Sequence, residues 1–264
     1  MQKKWMVLSV LASLSLPVLA DDAAPAAAAT PEHTFTANVT LTSEYIYRGI
    51  AQSNRKPAIQ GGFDYSHASG FYAGVWGSSI SWLTDGATGS APTEIDVYAG
   101  FKNAFAGGDW NYDVGVLTYN YPHSGSLTVG SNSPNTTEIY GAIGWKWLSA
   151  KYSYTASDRI FGWGTATNAT GNTRGSGYFE VNANYDLGSG WGLAGHVGHQ
   201  SIKDFSRASY SDYKLGVTKD VGFGVVALSY YDTNAHGNAG DPYRSLLGKD
   251  LGKGAAQLSF TKTF

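Results

Sequence analysis

The chain has 264 residues, among them 34 Gly, 18 Tyr and 8 Trp but no Cys, and a formal net charge of −2. The missing cysteines exclude a disulfide-stapled secreted scaffold, and the mild acidity argues against nucleic acid as a partner. Only 14% of residues are charged, yet no run reaches the ~20 apolar residues that a membrane helix needs, which points to glycine- and aromatic-rich β structure.

Residues 1–20 read as a secretory signal peptide. Lys3 and Lys4 are the positive start, Trp5 to Leu19 the short apolar stretch, and Val18-Leu19-Ala20 the small-residue cleavage site. Two of the 18 Lys and Arg lie there, so 16 basic residues face 20 acidic ones beyond it, a formal net of −4. Residues 21–33 are an Ala/Pro-rich low-complexity segment, read as a flexible periplasmic tail. Residues 34–264 are expected to form one domain.

Twelve segments read as strands, most with the period of two that marks a strand between unlike surroundings, although the alternation is blurred over Phe71–Trp82. The first is expected over Phe35–Arg48, with Phe35, Ala37, Val39, Leu41, Tyr45 and Tyr47 opposite Thr36, Asn38, Thr40, Thr42, Glu44 and Arg48. Next come Ala58–Ser66, Phe71–Trp82, Thr93–Phe101, Trp110–Asn120 and Thr137–Trp147. The remaining six are Ala150–Ala156, Tyr178–Tyr185, Trp191–Gln200, Tyr210–Lys219, Phe223–Asp232 and Ala255–Phe264. In most of them the face opposite the apolar one carries at least one Asp, Glu, Lys or Arg.

The connections alternate between short and long. Those near His67–Gly70, Lys102–Asp109, Leu148–Ser149, Asp186–Gly190 and Asp220–Gly222 are mostly short; those near Gly49–Pro57, Leu83–Pro92, Tyr121–Thr136, Ser157–Gly177, Ser201–Ser209 and Thr233–Lys253 are longer. That rhythm, with an even strand number, predicts an all-β transmembrane antiparallel up-and-down barrel with short periplasmic turns and longer extracellular loops. A soluble sandwich would have to hide its apolar faces, whereas a barrel in a bilayer exposes them and pairs every backbone group.

Two resemblances add to this. Ala256, Leu258, Phe260 and Phe264 share one face of the last segment, which resembles the closing strand of bacterial outer-membrane barrels; Lys262 departs from that pattern. The resemblance implies that Leu258, Phe260 and Phe264 form a C-terminal signal read by the barrel-assembly machinery. Further, Thr42-Ser43-Glu44-Tyr45-Ile46-Tyr47-Arg48-Gly49-Ile50-Ala51-Gln52, Pro57 to Tyr65, and Gly70 to Trp76 resemble the Gcw_chp family of proteobacterial outer-membrane proteins, described as porins of the TorF type. Glu94 to Gly100 and Tyr213 to Asp220 fit the same pattern. This likeness implies a porin in the outer membrane of a Gram-negative bacterium, with the lipid bilayer and small polar solutes as partners.

The ionisable residues expected to line the pore are Glu44, Arg48, Asp64, Glu94, Asp96, Asp113, Glu138, Lys146, Lys151, Glu180, Asp212 and Lys214, eight acids and four bases. A charged lining would bias which ions enter; the same groups could instead be a salt-bridged network plugging a narrow barrel. Tyr45, Tyr47, Trp110, Trp145, Trp147 and Trp191 are expected in the interfacial aromatic girdles. Glu94 and Asp96 share a face, but no Asp/Asn-Gly loop accompanies them, so no metal is expected. No cofactor is expected either, since no phosphate-binding or dinucleotide motif is present. His199-Gln200-Ser201 resembles the His-x-Ser of outer-membrane lipid hydrolases, although Ile202 and Lys203 replace the Asn that often follows. The expected function is passive diffusion of small polar solutes, with no enzymatic reaction. A structural or adhesion barrel with functional loops is one alternative, and a barrel-surface hydrolase using His199 and Ser201 the other.

Overall fold

The computed structural model describes residues 31–85, 90–124 and 132–264. Its strands in chain order are β1 (His33–Thr42), β2 (Ile46–Tyr47), β3 (Ile50–Ala51), β4 (Ala58–His67), β5 (Phe71–Ser79), β6 (Thr93–Phe105), β7 (Trp110–Asn120), β8 (Thr136–Trp145), β9 (Leu148–Thr155), β10 (Gly177–Gly188), β11 (Trp191–Ser201), β12 (Tyr210–Asp220), β13 (Val225–Thr233) and β14 (Ala255–Thr263). All but β2 and β3 form one closed barrel of twelve antiparallel strands, each bonded to its neighbour in sequence, with β1 closing on β14. At the seam Thr40 faces Thr261, and their hydroxyls are 2.8 Å apart. Closure leaves no unpaired edge, so an apolar solvent can surround the wall.

Alternation sorts the side chains between two surroundings. Phe35, Leu41, Ile59, Leu215, Leu228 and Leu258 stand exposed on the outside, while Glu94, Asp96, Asp113, Glu138 and Asp212 are buried inside. On β12 the contrast is sharp: Asp212 is 1% exposed and Leu215 is 64% exposed. An inverted arrangement of this kind is stable only where the outer face meets hydrocarbon and the inner face polar partners.

Glycine and tyrosine share out the interior space. Gly74 faces Tyr98 and Gly100 faces Tyr72 across β5 and β6, and Gly115 faces Tyr140 across β7 and β8. A Cβ on Gly74, Gly100 or Gly115 would lie within 2.5 Å of the opposing tyrosine. Each tyrosine therefore lies over a bare strand, and its hydroxyl reaches the lumen.

β5 stops at Ser79 rather than Trp82, while β6 runs on to Phe105 and β10 to Gly188. Three further differences from the alternation pattern bear on the lumen and the ends of the wall. β1 ends at Thr42 rather than continuing to Arg48. Ser43 N–H still bonds Leu258 C=O at 2.8 Å, and Gln257 Nε2 then donates to Glu44 C=O at 2.7 Å, turning the chain inward. Secondly, the β8–β9 turn is Lys146–Trp147, not Leu148–Ser149, because Trp145 pairs with Leu148 and Lys146 takes a left-handed φ of 53°. Thirdly, His33 already belongs to β1, so the barrel begins within the segment read as tail. Residues 1–30, which carry the expected signal peptide and most of that tail, lie outside the described residues.

Candidate functional site: the lumen and its inward hairpin

Residues 43–57 fold into the barrel instead of standing above it. β2 and β3 pair as a hairpin, with Ile46 opposite Ala51 and Tyr47 opposite Ile50. Its two-residue turn is Arg48-Gly49, with φ of 46° and 75°; two left-handed residues in succession make the tight turn that hairpins favour. Gly49 is required twice over, since a Cβ there would sit 2.4 Å from Thr233 and 2.7 Å from Asp212.

The hairpin carries Arg48 across the lumen to the wall opposite its own strand. Its guanidinium donates to both carboxylate oxygens of Glu138, at 2.9 and 2.7 Å, and to Gln200 Oε1 at 2.8 Å. Its centre lies 4.2 Å from the Tyr178 ring centroid. Tyr119 OH donates to Glu138 at 3.1 Å and also meets Tyr47 OH. Arg48 and Glu138 are both buried, so each charge depends on the other.

The base of the inward segment is clamped by Arg55. Its Nη1 meets Glu44 at 3.2 Å, and its Nη2 donates to the carbonyls of Asp250, Leu251 and Lys253. Burial pushes the Glu44 carboxyl above the ordinary carboxylate range, and the attraction of Arg55 only partly offsets it. Above the hairpin, Phe161 packs edge-on against Tyr47 and Tyr119, and Trp163 and Tyr210 pack against Tyr243.

Further polar groups line the wall. Tyr72 OH donates to Asp113 at 2.6 Å, Tyr98 OH to Asp64, and Tyr45 OH to Glu94 at 3.0 Å. Tyr178 OH and His196 Nε2 each lie 2.9 Å from the Asp212 carboxylate, while His196 Nδ1 meets Asn182 at 2.7 Å. Lys151 lies over Tyr140 at 4.3 Å, and Lys214 over Tyr231 at 5.6 Å. Between hairpin and wall is a cavity of about 80 Å³, whose lining includes Thr40, Arg48, Asp64, Asp96, Glu180 and Ser259.

Glu44, Arg48, Asp64, Glu94, Asp96, Asp113, Glu138, Lys151, Glu180, Asp212 and Lys214 thus sit inside the barrel or on its inward segment. Lys146 does not: it is exposed at the β8–β9 turn, 3.5 Å from Asp109, because the turn takes up the position that would have pointed it inward. The girdle places expected for Tyr45 and Tyr47 are corrected too. Both travel with the inward segment, and Tyr45 is buried beside Trp76 at 5.6 Å. Trp110, Trp145, Trp147 and Trp191 are exposed at the short-turn end. Leu258 is exposed on the outer wall, and Phe264 exchanges backbone bonds with Ala37. Alternation alone could have added His196 and Tyr178, which share the inward phase of Gln200 and Glu180.

Two other constellations lie outside the lumen. His199 Nδ1 meets Ser211 Oγ at 3.0 Å across the β11–β12 pair, whereas Ser201 follows it on the same outer face. Glu32, His33 and His67 bring candidate ligand atoms within 4.8 Å at the short-turn rim. However, Ser69 N–H donates to His67 Nδ1 at 3.1 Å. The neutral ring therefore carries its proton on Nε2, the atom 3.4 Å from Glu32, where a metal would need a bare nitrogen.

No curated protein matches the chain. Solved porins share its fold. The KdgM porin aligns with a TM-score of 0.52 at 6% identity, over 87% of this chain and 98% of that one. The NanC porin aligns with a TM-score of 0.50 at 12% identity, over 88% and 99%. A family model described as "Bacterial protein of unknown function (Gcw_chp)" matches residues 26–264, and this barrel with its inward hairpin therefore belongs to the Gcw_chp family.

Proposed function

We propose that the protein is an outer-membrane porin through which small polar solutes diffuse passively, with the β2–β3 hairpin as its constriction. One observation carries the reading: a closed barrel exposes an apolar wall and encloses a cavity lined by ionisable side chains. Such a wall suits the outer membrane of a Gram-negative bacterium, reached after export on residues 1–20. Leu258, Phe260 and Phe264 would then serve the assembly machinery. The charged lining polarises the path, and no reaction is proposed.

Planar-bilayer recording of the detergent-folded protein tests this. Discrete conductance steps are expected, larger in Arg48→Ala than in wild type, because the hairpin loses its anchor on Glu138. Stable insertion with no conductance in either form would refute the porin and leave a structural barrel.

A further inference from the structure

We propose that the lumen holds a binding station for primary alkylammonium ions, centred on Asp96; it rests on the reading of the lumen as a solute path. Asp96 is 5% exposed and lines the central cavity. Its Oδ1 takes no hydrogen bond among the described residues. A buried carboxylate oxygen with no donor is costly, and a native structure that keeps one has a use for it. The charges that act on Asp96 are both carboxylates, Glu94 and Glu138. Glu138 is already taken by Arg48, and Glu94 accepts from the neutral Tyr45 hydroxyl. Arg48 is committed to Glu138 and Lys151 also lines the cavity, but neither gives Asp96 Oδ1 a hydrogen bond.

The surroundings say which cation fits. Trp76 faces Asp96 across β5 and β6, and Tyr119 faces it across β6 and β7. Tyr45, Tyr98 and Tyr119 line the same cavity as Trp76 and Asp96. A hydrated metal ion would want six or more oxygen ligands, which an aromatic box does not offer. An alkylammonium suits it: its N–H groups supply the donor that Oδ1 lacks, and its charge and carbon chain rest on ring faces.

Isothermal titration of propylammonium chloride into the detergent-folded full chain tests the station, with tetramethylammonium and potassium chlorides at matched ionic strength. Saturable propylammonium binding is expected, weakened about tenfold or more by Asp96→Asn, because a charge-assisted bond is lost. Trp76→Leu should weaken it several-fold, and tetramethylammonium, having no N–H, should bind less well than propylammonium. Heat-modifiable gel migration checks that both variants fold. Three results would overturn the station: no saturable binding up to about 50 mM, equal binding by Asp96→Asn, or equal binding of the two cations. Binding is read without conductance, so the two proposals fail separately. A barrel that binds propylammonium but carries no current keeps the station and loses the porin; one that conducts without binding does the reverse.

Discussion

At the scale of single residues, buried charge decides most of what the lumen does. Arg48 and Glu138 illustrate the stronger case. Removing Arg48 strands a buried carboxylate, and breaking such a pair costs about 3–5 kcal/mol. Arg48→Ala should lower the midpoint of heat-modifiable unfolding, and Arg48→Ala with Glu138→Gln should recover much of the loss. Glu44 and Arg55 illustrate the opposite balance. Burial holds the Glu44 pKa above its unfolded value, so the carboxylate form is the less favourable one in the fold. The native state then binds its proton more tightly, and stability falls as pH rises from the unfolded pKa through the folded one. Glu44→Gln should therefore be at least as stable as wild type at pH 8 and equal to it below about pH 4, where both states of wild type are protonated. A variant less stable at pH 8 would show that Arg55 repays the burial after all.

The hairpin is the element that fills the lumen, and on the porin reading it sets the width of the path. Gly49→Ala puts a Cβ 2.4 Å from Thr233 on a residue with φ of 75°. The strained turn should cost about 1–3 kcal/mol locally and move the hairpin, leaving the wall intact. Larger or noisier single-channel currents, with unchanged heat-modifiability, are the expected readout. The same element shows where sequence reading stops. Wall strands were legible because two solvents impose a strict period, as at Glu180 and Asn182 opposite Phe179 and Val181. The inward hairpin was not. Glu44, Tyr45, Tyr47 and Arg48 keep the phase of β1, interrupted at Ser43 and Ile46, and an inner position on the wall looks the same as one on a loop folded inside it. A local signal existed in Arg48-Gly49 between Ile46-Tyr47 and Ile50-Ala51, the residue-Gly turn of a short hairpin. Lys146 failed for a related reason: alternation runs straight through a two-residue turn. The Asp96 station was only half legible, because its carboxylate has the right phase but its aromatic walls come from three strands and an inward segment.

For the whole molecule, the decisive property is that inside and outside are exchanged relative to a water-soluble domain. Leu258 and Leu228 face each other near the middle of β14 and β13, both exposed. In a soluble core, Leu→Ala would empty a cavity at about 2–5 kcal/mol. On this wall no cavity forms, because lipid flows into the space, so Leu258→Ala should cost distinctly less. Leu258→Arg is the opposite case. A cation on the lipid face near the bilayer middle costs about 2–4 kcal/mol, although the same exposed change on a soluble surface costs almost nothing. Measured by urea unfolding in lipid vesicles, a large Arg penalty beside a small Ala penalty is the signature of a hydrocarbon-facing wall. Two small penalties would mean that water bathes the outside, and the barrel's exposed leucines would then need another partner to cover them.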